Sequence, residues 1–179
     1  ATHPSRSHEI RSCVGAGNKA GFFCFNRYTG EKLWKAMLTH PTNAGGPRLN
    51  STATAYNRVF MVSNATGIRG RSAKSVTAAL HAYTGDVMWW VTNSAPIGAP
   101  VAIANRVFYQ GLTDGVMEAI DAISGEQLWK YKFTDILRGG MSIANGHLYT
   151  SIGSPQGWKR KNAIVGKKYA VYAFSPKGS

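Results

Sequence analysis

Acidic side chains are scarce in this chain: eight Asp and Glu stand against 21 Lys and Arg in 179 residues, a formal net charge of +13. The resulting field attracts nucleic acid, anionic glycans or acidic surfaces without choosing among them, and no nucleic-acid recognition motif accompanies it, so nucleic acid is the weakest of the three expectations. Cysteine is limited to Cys13 and Cys24, which leaves no second pair for zinc and no Cys-x-x-Cys-His for haem. His3, His8, His40, His81 and His147 lack metal-ligand spacing, so no metal site is expected from this chain alone. Long apolar runs are missing as well. Nothing approaches the roughly 18 apolar residues that a membrane-spanning helix needs, and Ala1-Thr2-His3-Pro4-Ser5-Arg6 has no apolar signal core.

What is present points to short strands. Twenty Gly, eight Tyr, seven Phe and five Trp, with Thr and Val scattered throughout, favour tight turns and pleated segments over long helices. A hydrophobic share of 44% is enough for an ordinary buried core.

The chain repeats itself. Phe25-Asn26-Arg27-Tyr28-Thr29-Gly30-Glu31-Lys32-Leu33-Trp34 returns as Leu80-His81-Ala82-Tyr83-Thr84-Gly85-Asp86-Val87-Met88-Trp89, and again as Ile120-Asp121-Ala122-Ile123-Ser124-Gly125-Glu126-Gln127-Leu128-Trp129. A second phrase runs Ala55-Tyr56-Asn57-Arg58-Val59-Phe60, Ile103-Ala104-Asn105-Arg106-Val107-Phe108 and Ile143-Ala144-Asn145-Gly146-His147-Leu148. The three tryptophans lie 55 and 40 residues apart. A unit near 40 residues with four short strands is the propeller period, and the longer spacing marks loop insertions, about 67–75 and, more basic, about 154–168.

Each phrase reads as a hairpin. Thr-Gly or Ser-Gly supplies a turn residue tolerant of positive φ, the polar Asn26, His81 or Asp121 ties down the turn backbone, and Trp34, Trp89 or Trp129 buries a ring between neighbouring blades. Strands are expected near 11–16, at 21–28 and 31–37, four within 50–92, four within 98–132 and three within 139–174. The fold class is therefore all-β, a partial β-propeller of about three and a half four-stranded blades. Residues 1–10 form an N-terminal extension, 11–176 the blades and 177–179 a tail. A sector of this size has open edges, so a second polypeptide or a missing N-terminal half is expected to complete it.

Ala119 to Trp129, with its Ala-x-Asp-x-x-Ser-Gly-x-x-x-Trp pattern, resembles the tryptophan-docking repeats of eight-bladed quinoprotein dehydrogenases. Gly15-Ala16-Gly17-Asn18-Lys19-Ala20-Gly21 ahead of the first phrase, together with Tyr172-Ala173-Phe174, is similar to the C-terminal half of polyvinyl-alcohol-dehydrogenase-like quinoproteins. The resemblance implies pyrroloquinoline quinone (PQQ) and calcium as cofactors and alcohol oxidation by hydride transfer to the quinone; some members of the family carry a fused haem domain, but without Cys-x-x-Cys-His no haem is expected here. The few acids and the strong positive charge favour instead a non-catalytic propeller that acts as scaffold or binds anionic polysaccharide or an acidic protein.

Several residues are candidates for specific roles. Gly15-Ala16-Gly17-Asn18-Lys19-Ala20 mimics a dinucleotide fingerprint, but a strand and not a helix follows, so a hairpin is expected. With Asn18-Lys19 as its turn, Cys13 would face Cys24 directly and a disulfide could form, as suits a secreted chain; alternatively Cys24 fills a small-residue column with Ala79, Ala119 and Ala173. Asn50 and Asn64 each open an N-glycosylation triplet. Arg48 and Arg138 lie beside glycine-rich strands placed nearest the axis, where they could meet the carboxylates of a quinone or simply be solvated. Lys159, Arg160, Lys161, Lys167 and Lys168 are the first candidate surface for an anionic partner.

Overall fold

The computed structural model describes residues 12–18, 21–38, 48–64, 67–68, 71–153 and 169–175. The extension 1–10, the tail 177–179 and the lysine-rich insertion lie outside them. The described residues form sixteen strands: β1 (Cys13–Asn18), β2 (Gly21–Asn26), β3 (Lys32–Ala36), β4 (Arg48–Ala55), β5 (Arg58–Asn64), β6 (Gly67–Ile68), β7 (Arg71–Ser72), β8 (Ser75–His81), β9 (Val87–Asn93), β10 (Ala102–Ala104), β11 (Val107–Gly111), β12 (Val116–Asp121), β13 (Gln127–Lys132), β14 (Ser142–Ala144), β15 (His147–Ile152) and β16 (Ala170–Phe174). They build antiparallel sheets in the orders β1-β2-β3, β4-β5-β8-β9, β10-β11-β12-β13 and β14-β15-β16, with β6-β7 as a small separate ribbon. This is a partial β-propeller, and the four sheets are its successive blades. The ribbon β6-β7 is the first insertion, placed between β5 and β8.

Local chemistry explains the hairpins. Tyr56-Asn57 and Asn105-Arg106 have positive φ at both turn positions (53° and 54°, 48° and 63°), and Asn145-Gly146 follows with 48° and 73°. Paired left-handed residues give a turn whose twist matches the flanking strands, and Asn tolerates that region better than most residues. The inner strands β4, β10 and β14 approach one another from blade to blade, and β1, the equivalent of β5 in the second blade, approaches β4.

The core lies between blades, and strand periodicity divides it. On β5, Val59 and Met61 pack toward the first blade with Phe22, Trp34, Val76, Ala78 and Leu80. The alternate residues Phe60 and Val62 pack toward the third blade with Ala79, Ile97, Phe108, Leu112 and Ile120. A third layer joins Met117, Phe133, Leu137, Leu148 and Ile152 across the last seam. Phe60 and Phe108 are fully buried and stack with centroids 5.4 Å apart; burying a side chain of that size stabilises by roughly 1.5–3 kcal/mol.

The first hairpin differs in register from the sequence expectation. Asn18 pairs with Gly21, so Cys13 faces Asn26 and Cys24 faces Gly15. The reversal falls one residue later than Asn18-Lys19, which shifts every partner by two. Cys13 and Cys24 thus occupy diagonal positions on one face of the hairpin, and a disulfide joins them with Cα atoms 5.9 Å apart, within the usual range for such bonds.

Candidate functional site

The repeated turn has one geometry in three places. The N–H of Gly30, Gly85 and Gly125 donates to the carbonyl of Asn26, His81 and Asp121 at 2.8–2.9 Å, and the glycines hold φ of +73°, +77° and +80°. Asn26 Oδ1 accepts from the N–H groups of Tyr28 (2.9 Å) and Thr29 (3.2 Å); Asp121 Oδ1 accepts from Ile123 (2.8 Å) and Ser124 (2.7 Å). His81 works differently, with Nδ1 3.2 Å from the Thr84 hydroxyl.

The turns receive tryptophans. The Trp34 indole N–H donates to Ala82 O at 3.1 Å, and Trp89 repeats this one blade on, to Ala122 O at 3.2 Å. Each ring lies flat against a glycine: a Cβ on Gly85 would stand 2.6 Å from Trp34, and one on Gly125 2.7 Å from Trp89. Glycine is required here by close approach as well as by φ. Just before each tryptophan the strand bulges, with register shifts between Cys24/Phe25, Ala79/Leu80 and Ala119/Ile120. The small residues Cys24, Ala79 and Ala119 then face Trp34, Trp89 and Trp129 directly. Trp129 is the most open of the three, 39% exposed, packing edge-on against Phe174 at 5.5 Å.

Asp121 makes the third turn sensitive to acid. The backbone N–H groups of Ser124 and Ile123, with a smaller contribution from the Arg106 guanidinium, hold its carboxyl below the usual aspartate range. A depressed folded-state value means that the contribution is complete above the unfolded pKa and is lost as pH falls through the folded one. Asn26 shows that a neutral amide makes the same two bonds. Asp121→Asn is therefore expected to keep the turn and abolish its acid response; amide shifts of Ile123 and Ser124 followed by NMR from neutral to acid pH should move in the parent and stay flat in the variant.

A buried polar chain crosses the seam between the second and third blades. Thr77 donates to Gln110 Oε1; Gln110 Nε2 donates to Asn93 Oδ1 (3.0 Å) and Glu118 Oε2 (2.6 Å); Asn93 Nδ2 donates to Ser75 Oγ (3.0 Å) and Thr77 Oγ1 (3.1 Å). Ser75, Thr77 and Gln110 are fully buried. Sequence reasoning missed this chain because its members come from four strands and share no local motif.

The other candidates are dispersed. Arg138 is half-buried and engaged on the link between the Leu137–Ile152 bridge and β14. Arg48 opens inner strand β4, its side chain outside the described residues, as is that of Asn50. Asn64 directs its amide at Ile97, accepting from its N–H at 2.7 Å and donating to its carbonyl at 3.1 Å. Lys159, Arg160, Lys161, Lys167 and Lys168 are not among the described residues.

The profile of a family designated PQQ_2 and described as outer membrane protein assembly factor BamB matches residues 19–176. This chain belongs to that PQQ-repeat family. Among solved structures, BamB from Moraxella catarrhalis is 17% identical with a TM-score of 0.57, covering 77% of this chain and 38% of its own length. The computationally designed Ika4 protein is 14% identical with a TM-score of 0.60, covering 89% of this chain and 84% of its own. The WD40 repeats of RRP9 reach 0.60 at 9% identity, with 79% and 42% covered. At such identities the likeness is one of fold. The PQQ-repeat chain spans about two fifths of the natural BamB chain it resembles. No curated protein matches it.

Family membership raises the question whether these residues suit a quinone with calcium. Among the described residues no three His, Cys, Asp or Glu side chains gather into a metal site. Asp86 and Asp121 are held in blade turns, Asp114 caps the N–H of Val116 at 3.1 Å, Glu118 belongs to the buried chain, and Asp135 accepts from Ile136 N–H at 2.6 Å. These five carboxylates of the PQQ-repeat chain are committed to turns and to the buried chain and do not converge on a calcium-bearing quinone cradle.

Proposed function

We propose that this chain is one sector, residues 11–176, of a secreted eight-bladed PQQ-repeat propeller, completed by a second polypeptide or an N-terminal half, and that it serves as a basic scaffold for anionic polysaccharide or acidic proteins. The observation that carries this is the unequal treatment of charge. Asp114, Glu118, Asp121 and Asp135 are at least partly buried and hydrogen-bonded, and only Glu31, Asp86 and Glu126 stand exposed among the described acids, whereas Lys32 and Lys35 on β3 and Lys130 and Lys132 on β13 stand exposed on outer strands. The insertion bearing Lys159, Arg160, Lys161, Lys167 and Lys168 adds to that field. The family description, naming an assembly factor, also supports a scaffold.

Cation-driven binding weakens with salt, because exposed charges are screened beyond about 8 Å at physiological ionic strength. The protein is expected to be retained on immobilised heparin at low salt and released by a sodium chloride gradient. Charge reversal at Lys159, Arg160 and Lys161 should lower the eluting salt concentration. Passage through the column at low salt would remove the scaffold reading.

The second reading, a dehydrogenase of the polyvinyl-alcohol type, draws on the sequence resemblance of Ala119 to Trp129 to quinoprotein repeats, and the PQQ-repeat family supports a quinone there only by likeness. Arg48 and Arg138 would then be the residues that hold the carboxylates of the quinone, which would supply the redox chemistry. Adding PQQ and calcium to the same preparation tests it: cofactor absorbance together with alcohol-dependent dye reduction would favour catalysis.

A further inference from the structure

Among the described residues, two of three blade turns hold a tryptophan from the preceding blade, and the third has the same shape with none of those residues in it. Gly30 matches Gly85 and Gly125 in φ and in its hydrogen bond to the residue four before it, yet a Cβ on Gly30 would meet no heavy atom of the described residues within 4 Å. The carbonyl of Arg27 stands where Ala82 O and Ala122 O each accept an indole N–H. Tyr28 beside it is 79% exposed, against 44% for Tyr83 in the second turn.

The surface leading to this turn is open in the same way. The register places Phe23 and Phe25 on β2 at the positions of Ala78 and Leu80 on β8, which are fully buried against the first blade. Phe23 and Phe25 are only half-buried, stacked on each other at 6.3 Å. Val14 on β1 corresponds to Val59 on β5; it is 54% exposed where Val59 is 5%. Turn, aromatic pair and valine form one receiving face, and both internal counterparts of that turn are filled by an outer strand carrying tryptophan.

We infer that this face binds the tryptophan-bearing outer strand of a further propeller blade, the indole lying on Gly30 and donating to Arg27 O. The inference rests on the proposed completion of the propeller and names the surface through which completion occurs. A second copy is a poor occupant, because Trp34 and Trp89 are already docked within their own chain and Trp129 packs against Phe174.

The test fuses an additional copy of residues 48–101, whose Trp89 serves as the probe, ahead of the full chain. Amide exchange at Tyr28, Thr29 and Gly30 is expected to slow by on the order of tenfold relative to the unfused protein, and Tyr28 should lose reactivity toward nitration. Gly30→Asn should cancel both effects while leaving the unfused chain's melting temperature nearly unchanged, since Asn tolerates the left-handed region and the space is empty. Alanine in place of the added tryptophan should cancel them equally. Protection that survives Gly30→Asn would overturn the socket while leaving completion intact. No protection anywhere in β1–β3 would overturn both. Tyr28 already protected in the unfused protein would mean that the chain covers this face itself, and would also overturn the inference.

Discussion

Replacing Trp34 with alanine is expected to lower unfolding free energy by about 3–5 kcal/mol, the range for removing a large aromatic ring from a packed interior. Trp34 is 8% exposed, stacks on Phe22 with centroids 5.7 Å apart, and bonds to Ala82 O. Its loss opens a void against Gly85 and leaves that carbonyl without its donor. Trp89→Ala should follow at the lower end, since the ring is half-buried in an otherwise identical arrangement. Trp129→Ala should cost about 1 kcal/mol, because more than a third of its surface is already in water. Urea titrations of the three variants give the ranking, and equal losses at Trp34 and Trp129 would refute the docking account.

Gln110→Leu is expected to destabilise by about 3 kcal/mol although it adds apolar volume to a buried site, because it strips partners from groups with no water to replace them. Thr77 loses an acceptor, and Asn93 and Glu118 each lose a donor. Removing both ends of one bond is milder than removing one, so Thr77→Val combined with Gln110→Leu should cost less than the sum of the two. A double-mutant cycle measures that coupling; strict additivity would show that the chain of bonds does not act as a unit.

How far the sequence predicted all this depended on distance along the chain. The blades were legible because their signals are local: a Thr-Gly or Ser-Gly turn, a tryptophan four residues on, and Asn at the left-handed corner. The expected strand ranges and the four successive sheets agree for that reason. The first hairpin shifted by one residue because Asn18-Lys19 and its neighbour offer nearly equivalent turn chemistry, and the choice depends on pairing along the whole of β1 and β2. The bulge ahead of each tryptophan has no residue signature, since Leu33, Met88 and Leu128 would pass as ordinary strand residues. The buried chain of Ser75, Thr77, Asn93, Gln110 and Glu118 draws on four strands, and only their assembly makes a group of them. Phe23 and Phe25 look like ordinary core in the sequence; their openness appears only beside their covered counterparts.

The inner strands come close to their neighbours, whereas indole rings hold the outer ones apart. Successive sheets must therefore diverge outward, and a closed circle needs the divergence per step, multiplied by the number of steps, to equal one revolution. The volume at Trp34 and Trp89 thus helps to set how many blades the finished ring contains: a smaller filler would bring adjacent sheets nearer to parallel and call for more of them.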